Sequence, residues 1–571
     1  MIQHHGPISG IAAFQERYIA TAGYDNQIVL WDQRTREPLS RAYHDHLANQ
    51  CAFSPDGTRL VTSSSDYTAR LWQVPELRLL AVLGDQSDDV EMSVFHPDQP
   101  LVATASRDHK VRVYDFEGRL THLFTGHTAD VISVEWVRGA RELVTSSDDG
   151  TVKRWSLETD AMTEDIDLGG IETDTVVISP DRTIYAGNDA GQIIILREGG
   201  KVVVPAHDAG VKRLVLSSER GLLVSLSYDR KMYLWRLDSD GLDKVAQTDL
   251  PADVWPRSCA FAAGTTLVLG TFGASYRTYD YGVGTWLDEN IAVTEGVNAV
   301  CATGGQVLTV GDAGIVWAVT DGARTEVRRL GSLCNFLTPS AGLIVTGGQM
   351  GRIFDAGTGS LLHQHRSPLN CGATFDRDGV PYTIVGAYTG EGVLLRIHLD
   401  GTAEHAGDLR LHDNAVKGVV VDGHLIFSVC ADTGAAWHHA LTGELIKRIP
   451  GAHDKIANGC AALGNGWFAS VSRDLLLRIW APDFTAQAIA TPHTHSIKCV
   501  AASAAGDHIA TGAYDGLIAV YDRVREIWTT TRPTAAGISS LAYDTDRDIF
   551  LASSYDGKVY EVARETAASA P

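Results

Sequence analysis

The chain has 571 residues, 44% apolar and 21% charged, with a formal net charge of −22. The length exceeds that of one ordinary compact domain, and the apolar share excludes extended disorder. The acidity excludes nucleic-acid binding through a broad basic footprint and favours partners with a basic surface.

No run approaches the ~18 apolar residues of a membrane span. The start, MIQHHGPISG, lacks the basic and apolar regions of a secretory leader. Eight cysteines without a CxxC pair fit a reducing compartment, so a cytoplasmic protein is expected.

In chain order, short apolar runs alternate with Asp/Gly turns, which predicts many short strands. ATAGYDNQIVLW places Trp31 six positions after Asp25, and TSSSDYTARLW repeats this with Asp66 and Trp72. Asp108 and Tyr114, Asp149 and Trp155, and Asp229 and Trp235 follow. Farther on come Asp474 with Trp480 and Asp515 with Tyr521. A histidine is phased to most of these turns: His5, His44, His127, His207, His412, His453 and His495 precede Asp25, Asp66, Asp149, Asp229, Asp432, Asp474 and Asp515 by 20 to 22 residues. Weaker copies lie between, at 171–191, 255–279, 297–317, 333–354 and 369–397, and a last one at 538–562.

The recurring His, strand Ser or Thr, turn Asp and closing Trp resemble the WD-repeat family. The resemblance implies an all-β fold built from four-stranded antiparallel blades. Fourteen units in 571 residues give about 41 each, close to the ~40–45 of a propeller blade. Propellers hold ~4–8 blades, so two tandem seven-bladed β-propellers are expected, at residues 1–290 and 291–571. The tandem architecture is similar to that of actin-interacting protein 1. Ring closure is expected either from the tail 563–571 completing the last blade or from a chain crossing between rings.

The sets His127–Asp149–Trp155, His207–Asp229–Trp235 and His453–Asp474–Trp480 read as structural staples, with Ser146 or Ser147 as the hydroxyl of the first. A buried carboxylate needs such partners. The histidine clusters at 363–365, 438–439 and 493–495 lack phased Cys or carboxylate partners, so no metal and no cofactor are expected. The cysteines fall in strands and read as core filling. GxSxG, the P-loop and the calcium loop are missing, and no catalytic residue is assigned.

The position just before the turn Asp opens on the face where WD-repeat proteins dock partners. Here it carries Tyr24, Ser65, Arg107, Asp148 and Tyr228 in the first ring and Arg473, Tyr514 and Tyr555 in the second; the six Tyr and Arg among these eight are of types enriched at binding hot spots and are the candidate contacts. A non-catalytic scaffold or adaptor that holds a protein or peptide is the expectation. Two other roles fit the same fold: an enzyme or small-ligand module using a central channel, and a regulatory or sensor subunit of a stress or defence assembly.

Overall fold

A computed structural model describes residues 2–564 apart from 239–240, 288–290, 293, 295 and 399. Among these residues there is no helix, hence none long and apolar enough to cross a membrane. The chain forms thirteen four-stranded sheets and one three-stranded sheet, all antiparallel and each built from consecutive strands. The first blade sets the pattern: β1 (Ile8–Phe14), β2 (Tyr18–Gly23), β3 (Gln27–Asp32) and β4 (Pro38–Tyr43), paired in sequence order. The second strand is buried along its whole length and the third up to its last residue because blades cover both faces, whereas the fourth alternates towards solvent.

The chain divides into two compact units, Met1–Thr294 and Glu295–Pro571, with seven sheets in each. They are two seven-bladed propellers.

Among the described residues strand exchange plays no part in closing the first ring. Its seven blades are each continuous in sequence. The first packs on the seventh through Ile11, Ile19, Val29 and Trp31 against Ala262, Val268 and Tyr276, with Trp31 edge-on to Tyr276 at 5.7 Å. The His4 N–H donates to the Ala274 carbonyl at 3.1 Å. In the second unit the innermost strand Val297–Thr303 packs against Ile538–Asp544, and the Ser539 hydroxyl donates to the Val297 carbonyl. The last blade has three strands among the described residues, and the expected completion by 563–571 lies mostly outside them.

Each well-formed blade is locked by a directional chain of hydrogen bonds. In the fourth blade Trp155 Nε1–H donates to Thr145 Oγ1 at 2.9 Å. His127 Nε2 meets that oxygen at 2.8 Å, and His127 Nδ1 meets Asp149 at 2.8 Å. A carboxylate only accepts, so Nδ1 carries the proton and Nε2 accepts from the hydroxyl. Every link of the chain thereby has one donor and one acceptor, with the Thr145 hydroxyl accepting from Trp155 and donating to His127. The same geometry joins His207, Asp229, Ser225 and Trp235. In the second unit His453 meets Ser470 at 2.8 Å and Asp474 at 3.4 Å, with Trp480 on the same hydroxyl.

The structure corrects three sequence assignments. The hydroxyl is Thr145, ten residues before the Trp; the Ser146 oxygen has no partner, and Ser147 instead accepts the Asp149 N–H. In the first blade the ring is His4, bonded to Asp25 and Thr21, while His5 contributes only its backbone N–H. In the sixth blade of the second unit His493 takes the Thr511 hydroxyl, and the half-exposed His495 pairs with Asp515 at 3.4 Å. In each pair the side chain that reaches the hydroxyl is the buried one.

Burial opposes ionisation of Asp149, but the bonds from His127, Thr151 and the Thr128 N–H outweigh it and hold the carboxyl well below its usual range. Asp474, desolvated but bonded to His453, is held at about 2. The turn itself requires a left-handed residue after the Asp, and Gly150 supplies it at φ 75°. A Cβ there would meet the Gly170 backbone at 2.5 Å, so the glycine also lets the next segment pass close by.

Thr145→Val is expected to destabilise the first unit by about 1–3 kcal/mol, because it leaves Trp155 and His127 without the shared hydroxyl. Ser146→Ala should be close to neutral. Chemical denaturation of both variants reads this directly, and equal costs would contradict the assignment of Thr145.

Three buried histidines of the second unit, His412, His438 and His493, are pushed down to about 4 by burial. An unfolded histidine titrates near ~6.5, so as pH falls the unfolded chain binds these protons first. The stability they permit is full above about pH 6.5 and is lost as pH falls from there towards about 4. His438 stands ten residues after Ser428, in the slot of the closing Trp, and neither of its ring nitrogens has a partner. His438→Leu should make the fall in melting temperature of the second unit between pH 7 and pH 5 shallower, at about one proton fewer; an unchanged slope would contradict this origin.

Candidate partner-binding faces

In every blade the register between the innermost strand and its neighbour slips near the start of the innermost strand, leaving one bulged residue or, in one blade, a short stretch; the strand Ala457–Gly464 slips a second time at its far end. A bulge leaves a residue unpaired and re-aims its side chain. In the first unit the bulged positions are Ser9, Asn49, Glu91, Ile132, Asp174, Lys212 and the stretch 255–258. In the second they are Asn298, Asn335, Asn370, Lys417, Asn458, Lys498 and Ser539. They lie at the same end of each blade as the position before the turn Asp. The two sets touch: Asn49 bonds Ser65, Glu91 bonds Arg107, and Asn298 bonds Asp312.

All six positions singled out in the sequence are half-buried rather than free on a rim. Tyr24 sits edge-on to Trp255 at 5.0 Å, with the Arg257 guanidinium donating to its hydroxyl at 3.4 Å. The Tyr228 ring carries Lys212 at 5.1 Å. The Arg107 side chain is only 12% exposed, bonded to Glu91 at 2.5 Å and to Asp130, with Asp89 at 4.0 Å. Tyr24 and Arg107 thus reach neighbouring blades, whereas Lys212 belongs to the same blade as Tyr228. In the second unit Tyr514 and Tyr555 stack at 6.3 Å between centroids. Arg473 belongs to the same register. The sequence reading passed over Tyr388, which stands at the equivalent position with Lys417 over its ring at 4.9 Å.

The first face is dominated by carboxylates. Lys212 pairs with Asp174 at 2.7 Å and with Asp189, and Arg257 approaches Glu91 at 3.7 Å. Burial, with Glu172, Asp130 and Asp174 nearby, pushes Asp148 well above the ordinary carboxylate range. Asp174 is pushed up to about 7 by burial and by Asp189, against the pull of Lys212. Asp130 is raised in the same way by burial, Asp88 and Glu91. Arg107 and Lys212 pair with Asp130 and Asp174, but burial and the neighbouring carboxylates outweigh their pull.

The second face is built differently. Four asparagines clamp adjacent blades: Asn335 Nδ2 donates to the Leu369 carbonyl at 2.8 Å, Asn370 to Val416 and Lys417, Asn458 to Ile497 at 2.7 Å, and Asn298 to Cys334. Asn49 does the same once in the first unit, to Val90.

The histidine clusters are accounted for individually. His363 stacks on His405 at 4.4 Å, His365 bonds Glu391 at 3.1 Å, and His439 stacks on His424. Where three donors do converge, within 4.8 Å of one another, they are His412, Cys430 and Asp432. That group is the staple of its blade, with cysteine in the place that serine takes at 64, 147, 227 and 472. The cysteines are unpaired; burial raises Cys51, Cys259, Cys301, Cys334, Cys371 and Cys499 to about 12, which suits core filling rather than a nucleophile.

The family model described as "WD domain, G-beta repeat" matches residues 1–32, 38–73, 77–115, 118–156 and 486–522. The transcriptional corepressor LEUNIG_HOMOLOG of Arabidopsis thaliana is 23% identical over 270 residues, 39% of this chain and 34% of that protein. The guanine nucleotide-binding protein subunit beta of Oryza sativa subsp. japonica is 26% identical over 227 residues, covering 35% and 59%. WD repeat-containing protein 37 of Mus musculus is 38% identical over 105 residues, covering 18% and 21%. The chain thus spans only about a third to three-fifths of the corepressor and the beta subunit. Matched repeats in both units, the staple chemistry and the fourteen blades place the chain in the WD-repeat β-propeller family.

Proposed function

We propose that this chain is a non-catalytic scaffold whose first propeller holds a basic segment of a protein partner on its carboxylate-rich face. The observation that carries this reading is the excess of carboxylates there: Glu91, Asp130, Asp148, Asp174 and Asp189 gather around Arg107, Lys212 and Arg257, and burial together with neighbouring carboxylates raises Asp130, Asp148 and Asp174. A lysine or arginine side chain of a partner would relieve that repulsion and desolvate together with its counter-charges. Tyr24 and Tyr228 offer aromatic faces beside the carboxylates, which suits a guanidinium or ammonium group. Arg107 acts in this arrangement as an internal counter-ion rather than as a contact.

Relatives named as a TFIID subunit, a G-protein beta subunit and a corepressor support a place in a larger assembly. Eight unpaired cysteines support a reducing, cytoplasmic setting. The stacked Tyr514 and Tyr555, with Arg473, mark a second contact face, and two faces on one chain would raise avidity for a bivalent partner.

Affinity capture from the native cell, with Asp148→Asn and Asp174→Asn combined in one variant, tests the reading. A stoichiometric protein captured by the wild type through a Lys/Arg-rich segment should be lost from the variant. The same protein retained at full yield would sink the proposal. Binding of an oligolysine probe should tighten between pH 6 and pH 8 as Asp174 ionises, and Asp174→Asn should flatten that rise.

A further inference from the structure

The channel mouth of the second propeller differs in kind from that of the first. A cavity of about 420 Å³ opens there, within the range of small-molecule sites. Its walls include the bulged residues Asn298, Asn335, Asn370, Lys417, Asn458 and Lys498, and no described carboxylate lines it. The first propeller provides an internal control. There Lys212, at the same bulge register, is held by Asp174 and Asp189, which is how this fold treats a lysine whose role is structural. Lys498 forms no ion pair with a described carboxylate, and Lys417 lies over the Tyr388 ring. Both lysines line the cavity together with Cys371. In a chain of net charge −22, two lysines line this cavity against Asp312, which is bonded to the wall residue Asn298, a local balance that favours an anion.

The asparagines add selectivity. Each spends its amide N–H on the neighbouring blade's backbone, which fixes the side chain and leaves its Oδ1 as a hydrogen-bond acceptor. The mouth therefore offers cationic donors for an oxyanion and a ring of neutral acceptors for hydroxyl groups. Lysine binds phosphate as a point charge and tolerates several orientations of it. The polar walls disfavour an apolar ligand. We infer that the channel mouth of the second propeller binds a small hydroxylated phosphate ester through Lys417, Lys498 and the asparagine ring. This site lies in the second unit and does not depend on the basic partner proposed for the first.

Isothermal titration calorimetry on the full chain tests the inference, with glucose 6-phosphate, inorganic phosphate and glucose as probes. Glucose 6-phosphate should bind saturably with a 1:1 stoichiometry and a Kd below about 1 mM. It should bind more tightly than phosphate, and glucose alone should give no saturation. Lys417→Gln combined with Lys498→Gln should weaken the ester by about tenfold or more, with an unchanged melting temperature showing that the propeller stays folded. Lys447→Gln, an equal charge change on an exposed outer strand, should leave binding unaltered. Lack of saturable binding by the wild type, or equal affinity in the double lysine variant, overturns the site. Equal affinity for phosphate and ester overturns the role given to the asparagines.

Discussion

An ionised aspartate in a half-buried turn is the constraint on which each well-formed blade depends. Leaving such a carboxylate without partners would cost several kcal/mol. The chain from Trp through hydroxyl and histidine removes that cost and ties three strands of the blade together in doing so. Because each link has one donor and one acceptor, replacing a member leaves a buried group orphaned. The blade at 416–449 shows the consequence: with Cys430 in the serine position and His438 in the tryptophan slot, His412 Nδ1 stands 3.8 Å from Asp432, against 2.8 Å for His127 and Asp149.

That framework uses up the residues that look most chemical in the sequence. The histidines and aspartates lie between strands, and the recognition proposed for this chain falls to a second, quieter register: the bulged residue of each innermost strand and the residue before each turn. The two propellers share this geometry and differ in what fills it. Buried carboxylates gather at the first mouth, whereas lysines and asparagines line the second. One scaffold thus presents two mouths of opposite electrostatic character with little change in backbone.

The fold was legible because spacing carries it. An Asp followed six residues later by an aromatic survives in the sequence even where the histidine is lost, as at Asp108, where the structure uses Gln86 and Arg112 instead. Exact partners were less legible. His4 and His5 are adjacent, as are Thr145 and Ser146, and only the alternation of strand faces decides between them; counting ten residues back from Trp155 would have picked Thr145. The bulged register was missed because a single polar residue in an apolar strand resembles noise in one blade. It becomes a signal when Asn298, Asn335, Asn370 and Asn458 are aligned. Ring closure could not be read from motifs at all, since it rests on ordinary apolar packing between blades far apart in sequence.

Hydrogen–deuterium exchange on the full chain, measured with an oligolysine peptide and separately with glucose 6-phosphate, most directly tests the claim of two mouths of opposite character. The peptide should protect segments around Glu91, Asp148, Asp174 and Tyr228 and leave the second unit unchanged. The phosphate ester should protect segments around Asn298, Lys417 and Lys498 and leave the first unit unchanged. Protection of the same segments by both ligands, or of neither mouth by its own ligand, would contradict the account.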